Sequence, residues 1–263
     1  MTQPEKLNFS VQGAGKAVLL VHGLASSLHE WDLLSPVLCE AGWRTVACDL
    51  LDHGDSPKEQ EQECCHLPAV YASLVQWIEG LGLDAPFVLV GHSLGGYLGL
   101  QFALQCPERL RGLVLIDPVF SPEQIPGALV RAPQMLDFGQ RMLHAAPKRV
   151  MESVMNLTFE PNSPMSAASR RQKSHDLLRA AKQVTRLVRG VKDLTPRLGE
   201  IRLPVWVAWG TRDRLLSPKS FPKLVSSLPN ARGYPLEGCG HHPHLEKPAQ
   251  VNGMIREFLK DCR

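Results

Sequence analysis

The chain has 263 residues, 44% of them hydrophobic and 21% charged, with a formal net charge of +3. That length and apolar content fit one globular domain with room for an inserted subdomain. So small a charge excess leaves no electrostatic footprint for nucleic acid, and no apolar run reaches the roughly 18 residues a membrane span needs. The first residues, Met1 to Lys6, lack the apolar core of a signal peptide. Seven scattered cysteines show no Cys-x-x-Cys and no zinc-ligand spacing, which reads as reduced thiols in a cytoplasmic protein. The adjacent Cys64 and Cys65 read as loop thiols.

In chain order, Ala17 to Val21 is a short apolar run ending at His22-Gly23. Trp31 to Ala41 has helical spacing at Trp31, Leu34, Val37 and Leu38. Arg44 to Cys48 reads as a strand ending at Asp49, and Leu67 to Leu81 as an amphipathic helix. Phe87 to Val90 is a further strand, followed by Gly91-His92-Ser93-Leu94-Gly95 and a helix from Leu94 to Gln105. Leu113 to Ile116 ends at Asp117-Pro118, and Val205 to Trp209 follows much later. Arg232 to Leu236 reads as the last strand and Gln250 to Leu259 as a closing helix. Apolar strands alternating with helices predict an α/β fold with a mostly parallel sheet covered on both faces. His22, Asp49, Ser93, Asp117 and Asp213 all fall just after strand ends, where open α/β sheets gather their ligands.

Residues 119–199 break the alternation. They hold helix-like pieces punctuated by prolines, and they read as a helical cap inserted between two parts of a core, 1–118 and 200–263. Apolar cap residues including Leu129, Met135, Phe138, Met142, Met155 and Phe159 are expected to pack the cap onto the body and line part of a pocket. Arg170 through Lys192 reads as a basic amphipathic helix whose charges are expected on a solvated face.

A serine between glycines at a strand-to-helix junction reads as a nucleophile elbow. The turn is tight, its flanks must be small, and the hydroxyl sits where helix N–H groups favour negative charge. A serine needs a base. His241 follows Gly240 in a late loop and is the first choice, with His242 its rival. The base needs an acid to orient it; Asp213 is preferred, and Asp117 also satisfies the order Ser, Asp, His. The backbone N–H groups of Leu24 and Leu94 are the expected oxyanion donors. His22 is expected to fix its loop by hydrogen bonds rather than act as a base.

Four segments together resemble the α/β-hydrolase superfamily: His22-Gly23-Leu24, Gly91 to Gly96, Gly210-x-x-Asp213, and Gly240-His241-x-Pro243-His244. Asp49 to Ser56 resembles that family's Asp-x-x-Gly-His-Gly-x-Ser loop, with Asp52 where the pattern has glycine. The opening antiparallel strands of the fold look trimmed here. The resemblance implies an α/β-hydrolase fold, a Ser93, Asp213, His241 triad, and no cofactor or metal. It also implies a small-molecule ester as substrate, cleaved through an acyl-enzyme on Ser93. A carbon–carbon bond hydrolase, a lactonase, a thioesterase, or a ligand receptor with slow turnover are the alternatives.

Overall fold

The computed structural model describes residues 6–58, 66–125, 142 and 165–262. Seven strands form one sheet: β1 (Phe9–Gln12), β2 (Lys16–Val21), β3 (Trp43–Cys48), β4 (Phe87–His92), β5 (Leu110–Ile116), β6 (Val205–Gly210) and β7 (Ala231–Leu236). Their spatial order is β1-β3-β2-β4-β5-β6-β7. Only β1 runs antiparallel, Phe9 opposite Cys48 and Gln12 opposite Thr45. β1 is a short strand of four residues at the sheet edge. Its side chains are mostly exposed, so it carries no apolar run to mark it in the sequence.

The apolar strands show no alternation because both faces are buried, yet the pleat still divides them in two. Leu19, Val21, Leu89, Leu113, Leu115, Val205 and Val207 belong to one core. Their neighbours Val18, Leu20, Val88, Val90, Val114, Ile116, Trp206 and Ala208 belong to the other. The first core is closed by α2 (Leu67–Gly80), α3 (Leu94–Gln105) and α5 (Phe221–Ser227) through Val70, Leu74, Leu98, Phe102 and Phe221. The second is closed by α1 (Ser35–Glu40) and α6 (Pro248–Phe258) through Leu38, Val251 and Ile255.

The expected helix from Trp31 to Ala41 is two pieces, a 3₁₀ turn at Leu28–Trp31 and then α1. Pro36 lies in the first turn of α1, where its missing N–H costs nothing; a helix continuing through it would clash one turn back. The basic stretch is also two pieces, α4 (Ala167–Arg179) and a 3₁₀ segment at Val184–Gly190. The chain leaves α4 at Ala180, and the Ala181 N–H bonds the Asp52 carbonyl of the core. Val184 and Leu187 are buried. Nor is α4 simply a solvated face: Lys173 and Asp176 are buried beneath it. Of the apolar cap residues named above, Met142 is exposed; Leu129, Met135, Phe138, Met155 and Phe159 lie outside the described residues, as do Cys64 and Cys65.

β3 and β4 lie on opposite sides of β2, so the winding direction reverses between β2 and β4. The carboxyl ends of these two strands deliver His22 and Ser93 to the crevice that such a reversal opens. Among the described residues, no helix is long and apolar enough to cross a membrane.

Candidate active site

Ser93 sits between β4 and α3 with φ +51, a left-handed conformation rare for a residue with a side chain. Its backbone is held from both directions. The Ser93 N–H bonds the Ile116 carbonyl (2.9 Å), and the Ser93 carbonyl accepts from Tyr97 and Val119 (3.1 Å each). Gly95 lets the turn of α3 rest directly on the end of β2, since a Cβ there would strike the Val21 and His22 carbonyl oxygens. Gly23 does the same for the facing loop, where a Cβ would come within 2.8 Å of His92 Nδ1 and 3.2 Å of Ser93 Cβ.

His241 Nδ1 lies 2.7 Å from Asp213 Oδ2. The other Asp213 oxygen accepts from the Leu215 N–H (2.7 Å) and the Leu216 N–H (3.0 Å). Burial pushes the Asp213 carboxyl up, but His241 and these donors outweigh it and hold it below the usual carboxylate range. Asp117 lies beside this pair in a different state. It is fully buried at φ +40, and its Oδ1 accepts from the Gly210 N–H (3.0 Å). Burial first, and then the Asp213 charge, push its carboxyl well above the usual range, which favours the neutral acid.

Ser93, His241, Leu24 and Leu94 all line one cavity of about 230 Å³. The Leu94 N–H lies in the first turn of α3, where helix donors have no intrahelical partner. His242 lines the cavity too, but it is His241 that the structure brings to Asp213. His22 is committed to its own loop. The Leu50 N–H donates to His22 Nε2 (3.0 Å), so the proton sits on Nδ1 and bonds the Gly23 carbonyl (2.7 Å). Burial lowers its pKa, which keeps the ring neutral. Asp49 binds the Leu28 N–H (2.7 Å) through one oxygen and the Asp55 N–H (2.8 Å) through the other. Asp52 adopts φ +67, which explains why a glycine suits that place in the loop pattern.

Sequence reasoning missed the buried charge under this site. Glu30 and Lys173 are both almost fully buried, with Lys173 Nζ 3.3 Å from Glu30 Oε2 and 2.8 Å from Ser26 Oγ. Glu30 Oε1 lies 2.9 Å from His244 Nε2 and 2.5 Å from His92 Nδ1. Burial raises the Glu30 carboxyl, but His92 and Lys173 outweigh it and hold it well below its usual range. No periodicity links residues 143 positions apart; the one sequence signal was a lone acid between His29 and Trp31.

Among the described residues, two groups bring metal-ligand atoms within 4.8 Å of one another: Glu30 with His92, His242 and His244, and Asp117 with Asp213 and His241. In the first, the Lys173 ammonium already meets the carboxylate, and a divalent ion would face like charge. In the second, Asp213 is already bonded to His241.

The alpha/beta hydrolase fold family model matches residues 16–248. A 2-hydroxy-6-oxo-6-phenylhexa-2,4-dienoate hydrolase of Comamonas testosteroni is 26% identical over 267 residues, covering 97% of this chain and 91% of that protein. Bifunctional epoxide hydrolase 2 of Sus scrofa is 24% identical over 300 residues, and the match covers 97% of this chain but only 53% of that protein. The chain thus spans about half the length of such relatives. Among solved structures, a thermophilic esterase from Thermogutta terrifontis, with malate bound, superposes with a TM-score of 0.79 at 26% identity, covering 97% of this chain and 93% of that one. With a family match across most of its length and a sheet of the corresponding order, the chain belongs to the α/β-hydrolase fold family.

Proposed function

We propose that the protein is a serine hydrolase that cleaves carboxylic esters with small to medium acyl groups, using Ser93, His241 and Asp213 as a triad. One observation carries this reading: the His241–Asp213 pair at 2.7 Å opens on the same cavity as a strained serine at a helix start. Asp213 accepts a hydrogen bond from the His241 Nδ1–H, which fixes the tautomer and leaves Nε2 to accept the proton of Ser93. The serine oxygen attacks the acyl carbon, and the Leu24 and Leu94 N–H groups hold the developing oxyanion. His241 returns the proton to the departing alcohol, and water activated by the same ring then releases the acid.

The cavity supports the substrate class. Leu24, Leu94, Val119, Val188, Val191 and Leu216 give it an apolar wall, and its volume lies below the roughly 300–1,000 Å³ of drug-sized sites. Val119, Ile125, Lys173, Val188 and Val191 come from residues 119–199, which supports that stretch as the roof of the site, between core segments 1–118 and 200–263. The nucleophile argues against epoxide opening. A serine attacking an epoxide would leave an alkyl ether, with no acyl carbon for water to attack, whereas an acyl-serine is readily hydrolysed. The Comamonas relative favours a second reading, carbon–carbon bond cleavage in an oxo-dienoate. The loop from Gly23 to Ser27, with a single glycine, fits an esterase better.

Purified protein assayed with p-nitrophenyl esters from acetate to dodecanoate, alongside Ser93→Ala, tests the proposal. Turnover that peaks at one short chain length and vanishes in the variant is expected. Turnover that survives in Ser93→Ala refutes it.

A further inference from the structure

Glu30 contacts several segments of the candidate site without lining its cavity. Its Oε2 accepts from the Gly23 N–H (3.2 Å), the peptide just before the Leu24 donor, and from Lys173 of α4. Its Oε1 meets His244, in the short helix Pro243–Glu246 that follows His241, and His92, the residue before Ser93. His92 continues the chain of contacts, with its Nε2 2.8 Å from the carbonyl of His241 itself. A carbonyl only accepts, so Nε2 carries a proton; a neutral imidazole then has no second proton for Glu30. Nδ1 still faces Glu30 Oε1 at 2.5 Å. Four chain segments therefore converge on one carboxylate: the oxyanion loop, the nucleophile elbow, the short helix after His241 and helix α4.

We propose that Glu30 is a positioning residue for the reaction at Ser93, aligning the Gly23–Leu24 peptide and the His241 loop. Lys173 completes the arrangement by holding the carboxylate in place from α4. The inference rests on the serine-hydrolase reading. Oxyanion stabilisation depends on where a donor points, and losing one such donor costs about 10²–10³ in turnover. A carboxylate that fixes the neighbouring peptide should therefore act on kcat more than on KM.

A buried ion pair that only holds the fold can be replaced by two apolar side chains with little loss. A positioning pair cannot. The test compares Glu30→Met/Lys173→Met with Glu30→Gln/Lys173→Met, and with Lys173→Met alone. Melting temperature, kcat, KM and the rate of Ser93 labelling by a fluorophosphonate are read for each. Both double variants are expected to melt close to the wild type. The Met/Met pair should lose about 100-fold in kcat and in labelling rate with KM within threefold, as expected for a misaligned donor. In the Gln/Met pair the amide oxygen can still accept from Gly23 N–H. Its NH₂ can donate to His92 Nδ1, leaving the Nε2 proton for the His241 carbonyl. That variant should recover to within about tenfold of the wild type, on the same scale. Lys173→Met alone should lose about tenfold in kcat, a smaller loss because Gly23 keeps its acceptor.

A Met/Met variant that turns over and labels within threefold of the wild type overturns the proposal. So does a Gln/Met variant as impaired as Met/Met. Unchanged kcat in Lys173→Met removes Lys173 from it. Absence of Ser93 labelling in the wild type overturns the serine-hydrolase reading instead, and this inference with it.

Discussion

Asp213→Asn separates an acid that orients the base from one that merely neighbours it. In the native protein Oδ1 accepts from two backbone N–H groups, of Leu215 and Leu216, while Oδ2 faces His241 Nδ1 at 2.7 Å. An asparagine has one oxygen. Turning its NH₂ toward Leu215 and Leu216 would oppose two buried donors with a third, so the oxygen stays on that side. The NH₂ then points at His241 and donates to Nδ1. The ring proton must move to Nε2, the nitrogen that has to accept from Ser93. A wrong tautomer in intact geometry costs about 10⁴ in kcat, which corresponds to roughly 5–6 kcal/mol of transition-state stabilisation. KM should hardly move, because Asp213 does not line the acyl cavity. The assay is p-nitrophenyl acetate turnover near pH 8, with fluorophosphonate labelling of Ser93 in parallel. If kcat stays within tenfold of the wild type, Asp213 is not what orients the base.

Three further outcomes follow from the same geometry. Asp117→Asn should change kcat/KM by no more than about threefold, because burial and the Asp213 charge favour the neutral acid and an amide oxygen can still accept from the Gly210 N–H; a loss beyond 100-fold in ester turnover would mean that Asp117 works as a charged acid. His53 is pushed down to about 3 by burial, so the unfolded chain binds a proton below about pH 6.5 that the folded protein refuses. The stability this group contributes is intact above pH 6.5 and is lost as the pH falls toward 3, about 2 kcal/mol of it by pH 5. Urea melts at pH 7 and pH 5 should show a smaller acid loss in His53→Gln, and identical losses would refute the linkage. Gly95→Ala would drive a methyl group into the end of β2; it should destabilise the fold by about 2–4 kcal/mol and abolish labelling of Ser93, and a thermal melt within 2 °C of the wild type would contradict the close packing described.

The residues that could be read in the sequence share a local signature. Ser93 lies between glycines after an apolar strand, and Asp213 and His241 each follow a strand end, so a short window carries the information. The central strands were legible because burial on both faces removes polar residues from them. β1 was not, because its alternation of Phe9 and Val11 with Ser10 and Gln12 spans only four residues, too short a window to stand out. Asp117 and Asp213 looked alike in sequence, both acids after buried strands; they differ in that one is fully enclosed beside a like charge while the other has three donors. Glu30 and Lys173 were illegible for a different reason. Lys173 sits among Arg170, Arg171 and Arg179 in a stretch that looks like an ordinary solvated face. Its burial follows from where α4 lands, a contact across 143 positions that no local window contains.

The positive φ of Ser93 has a further implication. A side chain held in that region costs on the order of 1–3 kcal/mol, and glycine would occupy it freely. Ser93→Gly should therefore melt no lower than the wild type, even though glycine gives the unfolded chain more freedom to lose. The protein would gain robustness by surrendering a side chain that its backbone is strained to display, so on the serine-hydrolase reading selection for stability alone would erase the site.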